Sequence, residues 1–195
     1  MYITNKTCSL ICTPLHRLSP ENLPQHRLHI GKLIEREIRS AVVEGFRTFR
    51  VGMNLGADIW AAQIVLLLRE QFPALRLSLH CYLHCSCGAN TWAQEWKEQY
   101  FDILAQANEV ACLQKVYSRG SFERRDRRMI EGSRRLIAVH DNLSVGGIAR
   151  AVRTAEYYGV ETIVVAPFEG PDVPAYITQG AIPHHARSGR IIRNA

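Results

Sequence analysis

Short apolar runs and longer stretches of helical period alternate along this chain. The runs at 8–12, 49–51, 75–79, 109–113, 136–139 and 162–165 have the length and composition of buried strands. Between the first two, Ile30, Ile34, Ile38 and Val42 recur every four residues and so line one helix face. The stretch 57–69 carries Ile59, Ala61, Ala62, Ile64, Val65, Leu66, Leu67 and Leu68, apolar on most sides, which predicts a buried helix. A third helix is expected over 91–106, where Trp92, Trp96, Tyr100 and Ile103 share a face in a stripe that reads as core packing ahead of a base-stacking platform. Two more helices are expected at 122–133 and 148–158. Strand and helix alternating throughout predict an α/β protein with a Rossmann-like three-layer fold, a mostly parallel sheet with helices on both faces. Residues 1–166 are expected to form this single domain. Beyond them Pro167, Gly170, Pro171, Pro174, Gly180, Pro183 and Gly189 interrupt every candidate element, so 167–195 reads as a Pro- and Gly-rich tail.

Two of the strand-to-helix junctions are rich in glycine. Gly52-Met53-Asn54-Leu55-Gly56-Ala57-Asp58 leaves the second strand and opens the buried helix. His140-Asp141-Asn142-Leu143-Ser144-Val145-Gly146-Gly147 leaves the fifth strand and opens the last helix. Such a turn sets unpaired backbone N–H groups and the positive end of a helix dipole at one point, a ready site for a phosphate. Two of them in one parallel sheet predict a nucleotide-type pocket at the carboxyl ends of the strands.

Composition narrows the setting. The 195 residues suffice for one domain with a sizeable core, and 47% hydrophobic with 22% charged residues is ordinary for a globular protein. No apolar run approaches the roughly 20 residues that span a bilayer, and the first residues lack the pattern of a secretory signal, so a cytoplasmic protein without membrane contact is expected. The six cysteines (8, 12, 81, 85, 87, 112) sit mostly in apolar runs, which fits a reducing compartment. His80, Cys81, His84, Cys85 and Cys87 have donor types that suit zinc. They contain no Cys-x2-Cys pair, and strand alternation sends His80 and Cys81 to opposite faces, so packed or partly exposed thiols are expected and no metal or cofactor. The formal charge of +6 is concentrated in Arg119, Arg124, Arg125, Arg127, Arg128, Arg134 and Arg135, offset locally by Glu123, Asp126 and Glu131. That density suits an anionic partner, since guanidinium groups match phosphate oxygens; it also suits a solvated helix face with i,i+4 pairs.

The stretch Thr48-Phe49-Arg50-Val51-Gly52-Met53-Asn54-Leu55-Gly56-Ala57-Asp58-Ile59-Trp60-Ala61-Ala62 resembles the "TF-x-x-GMA-x-G-x-D-x-x-AA" signature of YpsA-like proteins, a branch of the SLOG superfamily that also holds DprA and the LOG phosphoribohydrolases. Further matches follow in order: Cys85 with Ala89, Asn90 and Trp92, residues 100–104, the pair Arg124-Arg125, and Leu136-Ile137-Ala138-Val139 leading to Gly146-Gly147. The resemblance spans roughly residues 8–166. It implies a Rossmann-like SLOG domain that binds or senses a nucleotide or a nucleotide-derived phosphate ligand. It assigns ligand contact to His16, Arg17, Gly52, Met53, Asn54, Gly56, Asp58, Arg125, Asp126, Gly146 and Gly147. In that scheme the glycines supply backbone donors and Arg17 and Arg125 supply charge. Asp58 either meets a sugar hydroxyl or caps its own helix.

Several positions depart from the family pattern. Thr13-Pro14-Leu15-His16-Arg17-Leu18 stands where Thr-Gly-His-Arg-Pro is usual, so His16 and Arg17 are kept while a glycine is lost. Asn54 replaces an alanine, Gly88 a glutamine, Asp126 an asparagine and Ile148 a threonine. A carboxylate at 126 repels a phosphate and is expected to pair with Arg125 or Arg127 instead. A member so altered binds a different ligand or binds one weakly. Cleavage of a nucleotide N-glycosidic bond is the alternative activity, but the LOG proteins use Pro-Gly-Gly-x-Gly-Thr-x-x-Glu. Here Gly146-Gly147 is followed by Ile148-Ala149-Arg150-Ala151-Val152-Arg153, with Glu156 three residues beyond the matching place. Single-stranded nucleic-acid binding through the basic segment, with Tyr117 and Phe122 as the nearby rings, is a further reading. A degenerate paralogue acting through protein contacts is another, and a homo-oligomer is compatible with any of them.

Overall fold

The computed structural model describes residues 6–18, 24–140 and 146–168. Its core is a six-stranded sheet of β1 (Lys6–Cys12), β2 (Phe46–Val51), β3 (Ser78–Leu83), β4 (Glu109–Cys112), β5 (Arg135–Val139) and β6 (Glu161–Val165). All neighbours pair in parallel, in the order β4-β3-β2-β1-β5-β6. The chain lays down β1 to β4 toward one edge and then returns to place β5 on the other side of β1. The strand order thus reverses between β1 and β5, where Cys8 to Cys12 pair with Arg135 to Val139.

Successive side chains on a strand face opposite ways, and the core divides accordingly. Cys8, Leu10 and Cys12 with Ile137 and Val139 join one buried cluster, whereas Ile11 with Leu136 and Ala138 joins the other. The first cluster is closed by the helices α2 (Pro24–Val43) and α3 (Ala57–Gln71), with α4 (Gln94–Gln106) packed on α3. Ile30, Ile34 and Ile38 are fully buried there, as their four-residue spacing predicts. Tyr100 and Ile103 are buried in the same cluster, and Trp92 and Trp96 pack on it, so the aromatic stripe is core. The helices α5 (Ser121–Ile130) and α6 (Gly147–Tyr157) cover the opposite face, completing three layers. A single helical turn, α1 (Leu15–Leu18), follows β1.

One strand lies further along the chain than the pattern suggests. Residues 75–79 read as a strand, but Pro73–Leu75 form a 3-10 turn that Arg76 ends in the left-handed region at φ 51°. Extended backbone therefore begins only at Ser78. On the other face, α5 is fastened by polar contacts from the sheet. Ser9 Oγ donates to the Met129 carbonyl (2.8 Å), and Arg50 Nη1 donates to the carbonyls of Met129 (2.9 Å) and Glu131 (2.6 Å). These bonds satisfy carbonyls that the last turn of a helix leaves open, and they hold α5 across β1 and β2. Of the expected tail, Pro167 and Phe168 are described: the Pro167 carbonyl lies 2.7 Å from His29 Nε2, and Phe168 packs on His26. The remainder, 169–195, lies outside the described residues.

Candidate functional site

Because every strand is parallel, both glycine turns open at the carboxyl edge of the sheet. The β2 turn is shaped by buried polar groups. Met53 is buried with φ 56°, a left-handed conformation uncommon for a side chain of its size, and Gly56 follows at φ 98°. Asp58 has no exposed surface; its Oδ1 accepts from the Cys12 N–H (3.0 Å) and its Oδ2 from the Asn54 N–H (2.8 Å). The carboxylate thus ties the end of β1 to the turn after β2 and does not cap α3, whose N-cap is Gly56 without a side-chain bond. Burial pushes the pKa of Asp58 up to about 6, against the opposing pull of Arg125 and of the hydrogen bonds it accepts.

Arg125 projects from α5 into the same place and is 1% exposed. Its Nη1 donates to the Gly52 carbonyl (2.7 Å) and to Asn54 Oδ1 (2.9 Å), while Nε and Nη2 donate to Asp126 Oδ1 at 3.0 and 2.6 Å. A methyl group on Gly52 would lie 3.0 Å from Arg125 Cζ and 3.1 Å from Asp58 Oδ2. Glycine is needed at 52 to admit these two side chains. Of the arginines expected to hold Asp126, Arg125 does so. Two of the departures from the family pattern, Asn54 and Asp126, therefore meet on one guanidinium group and hold it inside the protein.

The second cluster forms where β1 and β5 part. The Thr13 N–H continues the pairing by donating to the Val139 carbonyl (2.9 Å), and the Pro14 carbonyl then accepts from Arg17 (3.0 Å) and Leu18 (3.2 Å) to form α1. Proline lacks an N–H that the first turn of a helix leaves unused, so Pro14 suits this position. The turn exposes His16 and Arg17, and it brings Arg17 beside the start of α6. Gly146 stands there at φ 105°, and a methyl group on it would lie 3.2 Å from Arg17 Nη1. Gly147, the first residue of α6, is exposed and has open space where a side chain would go. Ile148 is buried in the core beneath α6, exchanging the usual hydroxyl for apolar packing. Residues 141–145 of this turn lie outside the described residues. Arg125 thus serves the β2 turn and Arg17 the β5 turn, on opposite sides of β1.

A third feature was not found in the sequence. Arg127 and Glu123 on α5 face Arg150, Arg153, Thr154, Tyr157 and the following Tyr158 across a groove of about 570 Å³. Tyr157 is 84% exposed, and its ring meets that of Tyr158 edge-on at 5.2 Å. The i, i+3, i+7 spacing of Arg150, Arg153 and Tyr157 was the available signal. Among the described residues no group of three His, Cys, Asp or Glu side chains could hold a metal ion. No described helix is long and apolar enough to cross a membrane.

Comparison with known proteins agrees with this architecture. Residues 22–162 match the model of the YspA SLOG family. A UPF0398 protein of Bacillus pumilus (strain SAFR-032) is 28% identical over 132 residues, covering 67% of this chain and 70% of its own. UPF0398 proteins of Bacillus cereus (strain G9842) and Bacillus thuringiensis (strain Al Hakam) are each 29% identical over 133 residues, covering 67% of this chain and 71% of theirs.

Proposed function

We propose, from the premise that this chain belongs to the YspA SLOG family, that it binds the phosphate end of a nucleotide or nucleotide-derived ligand where β1 and β5 diverge. One observation carries the reading: the exposed turn after β1 sets the Arg17 guanidinium against Gly146, at the N-terminus of the 11-residue helix α6. Ligands of open parallel sheets lie outside the carboxyl ends of the strands, at the point where the strand order reverses. There the α6 N–H groups and dipole favour an anion, Gly147 leaves room for it to approach, and an arginine offers paired donors to phosphate oxygens. The β2 turn, with Arg125 and Asp58 buried beneath it, supplies the rigid wall that a preorganised site needs.

Binding is preferred to N-glycosidic cleavage on a distance along one helix. Glu156 stands in the last turn of α6, about 14 Å from Gly147 at the α-helical rise. The position that matches the glutamate of the LOG motif is Arg153. The test is a thermal-shift series with mono- and dinucleotides, ADP-ribose and nucleotide sugars on the parent and on Gly147→Val. A rise specific to one ligand class, lost in a folded Gly147→Val variant, is expected. A parent that melts cooperatively and responds to no compound would overturn the reading.

The α5–α6 groove favours a second reading, binding of single-stranded nucleic acid, because it joins three arginines to two exposed tyrosine rings. Fluorescence anisotropy with a labelled oligonucleotide should then weaken steeply with salt and be lost in Arg150→Glu/Arg153→Glu. Salt-independent or absent binding removes it.

A further inference from the structure

The turn that leaves β3 carries a pair of thiols that the ligand site does not use. Cys85 and Cys87 flank Ser86, and their Sγ atoms lie 2.8 Å apart, well inside ordinary non-bonded contact and a short movement from a bond of about 2.05 Å. Both are free thiols, with Cys85 buried and Cys87 partly exposed. The turn between them is pinned to the segment after β4: the Ser86 N–H donates to the Gln114 carbonyl (3.1 Å) and Ser86 Oγ to the Lys115 carbonyl (2.7 Å). The two thiols therefore sit on a turn that is anchored through Ser86 between them.

We propose that Cys85 and Cys87 form a redox-active dithiol that a small disulfide such as oxidised glutathione converts to an intramolecular disulfide. The two thiols divide the work. The hydrogen bond from Cys85 and the Tyr117 N–H lower the pKa of Cys87, whereas burial raises that of Cys85. The Cys87 thiolate attacks one sulfur of oxidised glutathione; a mixed disulfide forms, the glutathione S–S bond breaks, and one glutathione leaves as thiolate and takes up a proton. Cys85 then gives its proton to solvent and attacks the Cys87 sulfur, releasing the second glutathione in the same way. Two protein thiols lose two electrons and two protons, and oxidised glutathione is reduced to two molecules of glutathione.

The position links the pair to the β2 turn. His84 precedes Cys85, its ring is stacked on Phe122 with centroids 4.0 Å apart, and Phe122 lies 5.4 Å from the Arg125 guanidinium. A methyl group on Gly88 would come within 2.8 Å of His84 Cε1, so the turn closes tightly over that ring. A third thiol, Cys112, is exposed opposite Leu83 in β4 and is the natural competitor.

The test equilibrates the full chain in glutathione buffers of graded ratio, quenches with acid, alkylates the remaining thiols and maps the peptides by mass. Loss of two hydrogens is expected in the peptide joining Cys85 to Cys87, with Cys112 alkylated. The variant C85S should accumulate one glutathione on Cys87, and C112S should behave as the parent. A lasting glutathione adduct on Cys87 of the parent, a disulfide reaching Cys112, or full alkylation across all buffers would each overturn the proposal. Should C85S fail to fold, the map of the parent decides by itself.

Discussion

Replacing Arg125 with methionine tests whether this side chain is part of the framework of the β2 turn. The substitution keeps an unbranched chain of similar reach and removes four hydrogen bonds, two to Asp126 and one each to the Gly52 carbonyl and Asn54. It leaves the buried Asp126 carboxylate without its partner, a change that costs about 3–5 kcal/mol when a buried ion pair is broken from one side. Loss of the cation over the Phe122 ring adds about 0.5–1 kcal/mol. At about 2–4 °C per kcal/mol for a domain of this size, the total of about 3.5–6 kcal/mol should lower the melting temperature by roughly 7–24 °C. Urea denaturation followed by far-UV circular dichroism measures the change directly. The double variant Arg125→Met/Asp126→Leu should recover part of the loss, because an apolar pair leaves no carboxylate unpaired. A single variant within about 1 kcal/mol of the parent refutes the structural assignment. If such a variant also lost ligand affinity, Arg125 would belong to the ligand and not to the frame.

The pH dependence of stability should carry the signature of Asp58. Its folded pKa of about 6 exceeds the ordinary carboxylate value, so the folded state holds the proton more tightly than the unfolded chain. Its contribution is fully present below pH about 4 and is lost as pH rises through about 6, on the order of 2–3 kcal/mol in all. Glu44 titrates with the opposite sign, its pKa held down by Arg135, so the slope is best read as the difference between the parent and Asp58→Asn in urea melts from pH 4 to 7. That variant should lose only the Asp58 part of the slope, since Glu44 and the buried Asp126 still titrate, and cost about 1–3 kcal/mol at pH 7, because an amide can accept from only one of the two backbone N–H groups; an unchanged slope contradicts the assignment. Gly146→Val should destabilise by about 1–3 kcal/mol, since φ 105° suits only glycine and the new side chain meets Arg17. Gly147→Val should stay within about 1 kcal/mol of the parent. Equal melting temperatures for the two valine variants would show that Gly146 is unstrained.

The layers of the fold were legible because their signal is local. Short apolar runs set between stretches of helical period placed β1, β2, β5 and β6 to within a few residues, and the four-residue spacing marked Ile30, Ile34 and Ile38 as core. β3 slipped because Pro73 and Arg76 spend the start of the apolar run on a tight turn. The chemistry of the turns was less legible. Within α5, Arg124, Arg125, Arg127 and Arg128 look alike along the sequence, and only the seating of α5 on Ser9 and Arg50 decides that Arg125 turns inward. The meeting of Arg17 with Gly146 depends on β1 pairing with β5, a long-range contact that no local pattern encodes. The rings nearest the α5 arginines along the chain are Tyr117 and Phe122, whereas Tyr157 and Tyr158 line a groove with Arg127 only because α6 packs on α5.

The most direct measurement is isothermal titration of ADP-ribose and adenine mononucleotides into the parent and Arg17→Ala. Arg17 is exposed on a single helical turn, so its loss should cost the unliganded protein no more than an exposed contact does, about 1 kcal/mol at most. A charge-assisted bond to phosphate contributes about 1.5–3 kcal/mol, so affinity should fall roughly 10- to 150-fold. Equal affinity in the two proteins would contradict a phosphate site between β1 and α6.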